Sequence, residues 1–95
     1  MAVDLPEKVR LGIVELARKY ELDRVVLFGS RARGDNKPRS DIDLAVKGGN
    51  IAAFAADADE EIPTLLMFDV VDLDRPVQPE LLAEIEKDGI ELYSE

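Results

Sequence analysis

The 95-residue chain contains no cysteine, no histidine and no tryptophan. The absence of cysteine excludes disulfides, thiolate nucleophiles and cysteine-held metals, and the absence of histidine removes the usual proton shuttle and the usual zinc ligand. Any metal bound here must be held by oxygen. There is no apolar run long enough to cross a bilayer, and the opening "MAVDLPEKVR" has no apolar segment of a secretion signal. The expected location is therefore cytoplasmic, with no membrane partner. Neither GxxxxGK[ST] nor GxGxxG occurs, so the P-loop and dinucleotide folds have no support, and there is no internal repeat or low-complexity segment.

What is present is unevenly spread. The net charge is -9, but residues 1–50 carry ten Lys/Arg against eight Asp/Glu, whereas residues 51–95 carry two against thirteen. The segment from Arg31 to Arg39 alone holds four cations, so an anionic ligand can be met locally by a chain that is acidic on average. The acidic second half suits a solvated face or a basic partner and argues against DNA binding.

With 46% apolar residues the chain can build one small core, so one domain spanning 1–95 is expected. Asp4 and Glu7 have capping-box spacing ahead of Val9, Ile13, Leu16, Ala17 and Tyr20, which recur at helical intervals and predict a helix ending near Leu22. "RVVLFG" reads as a strand, "SRARGD" as a helical turn, and "DIDLAV" as a second strand stopped by "KGGN". Asn50 is placed to cap "IAAFAADADEE", "TLLMFDVVDL" is the longest strand candidate, Pro79 opens a last helix and Gly89 closes it before "IELY". The order αβαβαβαβ implies an α/β arrangement, a small mixed sheet flanked by helices.

The chemistry concentrates in "LFGSRARGDNKPRSDIDLAV". On a strand, Asp41 and Asp43 face the same way while Ile42 and Leu44 face the opposite layer. Two adjacent carboxylates repel unless a cation lies between them, and an oxygen-only set suits Mg2+ or Mn2+ together with phosphates. Gly29 at a strand end lets a phosphate approach the backbone, Ser30 offers a hydroxyl and an amide, and Arg33 can neutralise charge on a triphosphate. A third carboxylate would complete a two-metal site, one ion activating the attacking oxygen and the other steadying the triphosphate. Asp69, between Phe68 and Val70, is the choice for third ligand and possible general base, with Asp72 as its rival on the opposite face. Arg31, Lys37 and Arg39 read as solvated loop charges, and Ser40 as a hydroxyl that bonds the turn before Asp41. The same loop is no calcium site, since Lys37 and Arg39 stand where oxygen ligands are needed.

Gly29-Ser30, ten residues, then Asp41-Ile42-Asp43 resembles the signature of the polymerase-β-type nucleotidyltransferase superfamily. Within it, "FGSRARGDNKPRSDIDLAV" followed by "FDVVDL" resembles the minimal nucleotidyltransferase antitoxins found beside HEPN-domain toxins. The resemblance implies the polymerase-β-like fold and transfer of AMP from ATP to a hydroxyl, for the antitoxins a tyrosine of the partner ribonuclease. It further implies that Gly29, Ser30 and Arg33 hold nucleotide phosphates and that Asp41, Asp43 and Asp69 hold metal. Larger members append a helical region that grips the acceptor, and none is present in these 95 residues, so a partner or a second copy in a homodimer is expected to supply it. The competing expectations are an antitoxin that neutralises its partner by binding alone and a transferase acting on a small molecule of the aminoglycoside kind.

Overall fold

The computed structural model describes residues 5–95, and in it helices and strands alternate along the whole chain. They are α1 (Glu7–Lys19), β1 (Arg24–Phe28), α2 (Ser30–Arg33), β2 (Ile42–Lys47), α3 (Ile51–Glu61), β3 (Phe68–Asp72), α4 (Pro79–Asp88) and β4 (Ile90–Ser94). The strands form one sheet in the order β3-β2-β1-β4, with β1 antiparallel to both β2 and β4 and β2 parallel to β3. This is the mixed α/β sheet expected from the element order.

Side-chain alternation divides the sheet into two faces. Val25, Leu27, Ile42, Leu44 and Val46 point to one side and pack with Val9, Ile13, Leu16 and Ala17 of α1 and with Phe54 and Ala58 of α3. Val26, Phe28 and Ala45 point to the other side, where α4 covers them with Ile85 and the partly buried Leu81. The first face is the main core. Phe54 is fully enclosed there, so Phe54→Ala is expected to cost about 3–5 kcal/mol in urea unfolding, from lost transfer energy and a residual cavity. A cost below about 1 kcal/mol would mean that α3 does not seal this core.

Local sequence explains most element ends, and two differ from expectation. Helix α1 stops at Lys19 rather than near Leu22 because Glu21 takes a left-handed backbone (φ 55°). The Glu21 and Leu22 amides then donate to the Arg18 and Ala17 carbonyls, which closes the helix and sends the fully buried Leu22 into the core. At its other end Pro6 is the N-cap and no side chain caps it, while Asp4 of the expected capping box lies outside the described residues. The third strand is shorter than "TLLMFDVVDL": the Thr64 hydroxyl accepts from the Leu66 amide, a local turn that holds residues 64–66 out of the sheet. Asn50 caps α3 by accepting from the Ala53 amide (3.2 Å), as its position suggested. The Tyr20 hydroxyl donates to the Asp57 carboxylate and ties α3 to the end of α1.

Candidate active site

All the residues singled out in the Gly-Ser and Asp-x-Asp stretch meet at one end of the sheet. Antiparallel pairing places the C-terminal end of β1 beside the N-terminal end of β2, with Phe28 opposite Asp43. Parallel pairing then places Asp43 opposite Asp69 on β3. Register partners share a face, so Asp43 stands between the buried Phe28 and the Asp69 carboxylate, with Asp41 two residues away on the same side. That face is the one covered by α4.

Gly29 is pressed against this pair of strands. Its backbone (φ 77°, ψ -157°) is one that L residues avoid, and a Cβ placed there would collide with the Asp43 carboxylate, whose Cγ would lie at 3.1 Å. Ser30 begins the one-turn α2, and the Gly29 carbonyl accepts from the Arg33 amide (3.2 Å). The Gly-Ser turn and the metal-type carboxylates therefore form one continuous surface.

The electrostatics of this surface centre on Asp43. Its pKa is pushed up to about 6 from 3.8, first by burial and then by the charges of Asp69, Asp41 and Glu84, with Arg33 opposing. The charges of Asp69 and Asp41 thus both bear on Asp43. Asp69 lies within β3, between Phe68 and Val70, and its side chain is solvent-exposed. Asp72 is the register partner of Val46, on the opposite face, where it accepts from the Asp74 amide and pairs with Arg75. Among the described residues, no three carboxylates are drawn into a ready coordination shell. The donor set still fits a hard divalent cation: it is all oxygen, it lies on one face, and its central member is crowded by like charge.

Two cations and one acid behave in ways the sequence did not reveal. Arg33, expected on phosphate, is paired with Asp35 (3.1 Å) and with Glu84 (3.0 Å) and Asp88 (3.7 Å) of α4. Glu84 thus reaches the site from the last helix, and its only sequence signal is that it precedes the core residue Ile85 on an amphipathic segment. Arg31, expected to be a solvated loop charge, is 2% exposed. Its Nε donates to the Ser40 carbonyl (3.0 Å) and its Nη2 to the Pro38 (3.1 Å) and Ser40 (2.9 Å) carbonyls. Ser40 in turn accepts from the Lys37 amide through its hydroxyl (2.9 Å).

Arg31 therefore braces the loop that delivers Asp41 against the turn that begins at Ser30. Arg31→Met is expected to lower stability by about 2–4 kcal/mol in urea unfolding, because buried carbonyls lose charged donors. Arg31→Lys should recover only part of this, since an ammonium cannot reproduce the planar fork. Equal stability of Arg31→Met and the unmodified protein would rule out the brace.

A family model described as polymerase beta nucleotidyltransferase matches residues 12–95. The chain belongs to this family, and its four-stranded mixed sheet with flanking helices is the family fold. Solved structures similar to it include toxin–antitoxin pairs and a minimal nucleotidyltransferase. A variant of the toxin–antitoxin pair MntA-HpeT is 28% identical, with a TM-score of 0.70 over 97% of this chain and 75% of that one. A minimal nucleotidyltransferase is 26% identical, with a TM-score of 0.65 over 85% of this chain and 86% of that one. A toxin–antitoxin structure with AMP-PNP shares the fold at 24% identity, with a TM-score of 0.73 over 90% of this chain and 73% of that one. A search of curated proteins gives no significant match.

Proposed function

We propose that this nucleotidyltransferase transfers AMP from ATP, with Mg2+, to a tyrosine hydroxyl of a cognate HEPN ribonuclease toxin and so acts as an antitoxin. The observation that carries the reading is the Asp43–Asp69 register pair lying against Gly29 at the end of β1. Solved relatives that are toxin–antitoxin pairs, one of them with AMP-PNP, support the choice of nucleotide and partner.

Asp41, Asp43 and Asp69 would hold the metal, two Mg2+ ions or Mn2+ in their place. When bound, the metal supplies Lewis-acid polarisation of the phosphate oxygens. The rest follows from the chain's own groups. Gly29 gives the triphosphate access to the backbone, Ser30 donates to it, and Arg33 leaves Glu84 to meet its charge. Asp69 receives the proton of the acceptor hydroxyl as the new oxygen–phosphorus bond forms at the α-phosphate. The bond from that phosphorus to the bridging oxygen breaks on the opposite side, and pyrophosphate leaves.

The test is to incubate the protein with the product of its neighbouring gene, Mg2+ and labelled ATP, and to take the intact mass of both chains. AMP added to the partner, and lost with Asp43→Asn, is the expected result. A stable complex with no added mass would instead mean neutralisation by binding, with the acidic 51–95 half as the docking face.

A further inference from the structure

One cation beside the phosphate turn is claimed by three acids. Arg33 donates from Nε to Asp35 (3.1 Å) and from Nη1 to Glu84 (3.0 Å), and its Nη1 lies 3.7 Å from Asp88. Glu84 and Asp88 are four residues apart and so project from one side of α4. Ile85, the buried residue of that helix, lies between them in sequence. The end of α2 is thereby tied to the helix that covers Val26, Phe28 and Ala45.

The tie offsets two unfavourable features of α4. Acids at i and i+4 repel, and Asp88 stands at the helix C-terminus, where the last carbonyls already carry partial negative charge. The apolar hold of this helix on the sheet is small beyond Ile85, since Leu81 is partly buried and Leu82 is 39% exposed. A guanidinium facing Glu84 and Asp88 therefore relieves their repulsion and fastens the helix at once.

The same side chain is the one assigned above to the triphosphate. Phosphates drawn to Arg33 meet Glu84 and Asp88 as like charges, so the nucleotide and the two acids compete for one cation. We propose that Glu84 and Asp88 form an autoinhibitory latch that holds Arg33 from the triphosphate until the nucleotide displaces them, and that nucleotide binding in turn loosens α4. This inference rests on the transferase reading given above and adds a regulation of the same site. Glu84 and Asp88 act through Arg33, as positioning residues. Ion pairs between partly exposed side chains are weak, so the latch lowers nucleotide affinity about fivefold rather than abolishing it. Linkage makes the effect reciprocal, so what the latch costs the nucleotide, the nucleotide costs the seating of α4.

Equilibrium dialysis of labelled ATP with Mg2+ against the full chain reads the latch directly. The double variant Glu84→Gln, Asp88→Asn is expected to bind about fivefold more tightly. Both side chains are partly exposed (41% and 22%), so the amides are accommodated. Arg33→Met should weaken binding, and adding the two acid substitutions to it should recover less than about twofold, because the cation they restrain is gone. Glu86→Gln, on the exposed side of the same helix, should leave affinity within about twofold. No tightening in the double variant would overturn the proposal. Tightening of the same size in the Arg33→Met background would overturn it too, since the acids would then repel the nucleotide directly. Hydrogen exchange on the unmodified protein gives a second reading that needs no variant: Mg-ATP should protect the Gly29 and Ser30 amides and speed exchange across residues 84–89. Unchanged or slower exchange in that part of α4 would count against the latch with equal force. Mg-ATP that binds no form of the chain would sink the transferase reading itself, whereas binding without these responses sinks the latch alone.

Discussion

Asp43→Asn is expected to reduce nucleotidyl transfer by a factor on the order of a thousand and, at neutral pH, to make the protein more stable. The activity loss follows from removing the central carboxylate of a site whose work is electrostatic. The gain in stability comes from the same crowding. Asp43 has a folded pKa of about 6 against 3.8, so above pH 6 the folded state carries a charge that burial and three neighbouring acids disfavour. Because the folded form takes up its proton first, stability contributed at this position rises as pH falls from about 6 to about 4, and is level above and below. Discounted for solvent screening at a partly exposed carboxylate, the shift corresponds to on the order of 1–2 kcal/mol at pH 7. In urea unfolding without metal, the variant should therefore exceed the unmodified protein at pH 7, and the gap should close by about pH 4. Glu7 and Asp57 have lowered pKa values and lose their contributions as pH falls from about 4.5, equally in both proteins, so they cancel in the comparison. A gap independent of pH would mean that packing, not charge, separates the two proteins. Saturating Mg2+ should shrink the gap from the other side, since a bound cation stabilises the folded form that still has its carboxylate.

Much of this site could be read before any fold was known, because strand periodicity does the placing. A spacing of two puts Asp41 and Asp43 on one face, and a spacing of three puts Asp69 and Asp72 on opposite faces, whatever the surrounding sheet. Which of the latter two joins the pair depends on the β2–β3 register, and no local pattern encodes it; the structure brings Asp69 opposite Asp43. The cations were harder. Arg31 and Arg33 sit two apart on the same short turn, yet one is buried against loop carbonyls and the other reaches α4, fifty-one residues away at Glu84. The sequence pattern assigns Arg33 to phosphate and Arg31 to solvent, because the acceptors that bury Arg31 are backbone carbonyls with no signature of their own. The shortening of the third strand is similar in kind: "TLLM" has strand composition, but the Thr64 turn hydrogen bond competes with the ladder and leaves Leu65 outside it. The acidic second half suits a solvated face or a basic partner by composition, whereas Glu84 and Asp88 within it pair with Arg33 of the same chain.

Gly29→Ala should damage stability and activity together, and its stability cost has two separable parts. The backbone at Gly29 occupies a region reserved for glycine, which costs an alanine on the order of 1–3 kcal/mol. The added Cβ also meets the Asp43 carboxylate, with Asp43 Cβ at 3.4 Å behind it. Asp43 cannot swing aside freely, since Phe28 and Asp69 occupy the register positions on either side. The collision adds about 1–2 kcal/mol, for a total of about 2–5 kcal/mol out of the 5–15 kcal/mol typical of a domain. Transfer activity should fall by at least about a hundredfold even where the variant remains folded, because the methyl thickens the phosphate turn and displaces the carboxylate at once. A double-mutant cycle divides the two parts. In an Asp43→Ala background the collision disappears and the backbone strain stays, so Gly29→Ala should cost about 1–2 kcal/mol less there than in the unmodified protein. Full additivity would show that Gly29 and Asp43 are not in contact, and the joined phosphate-and-carboxylate surface on which the catalytic reading depends would have to be given up.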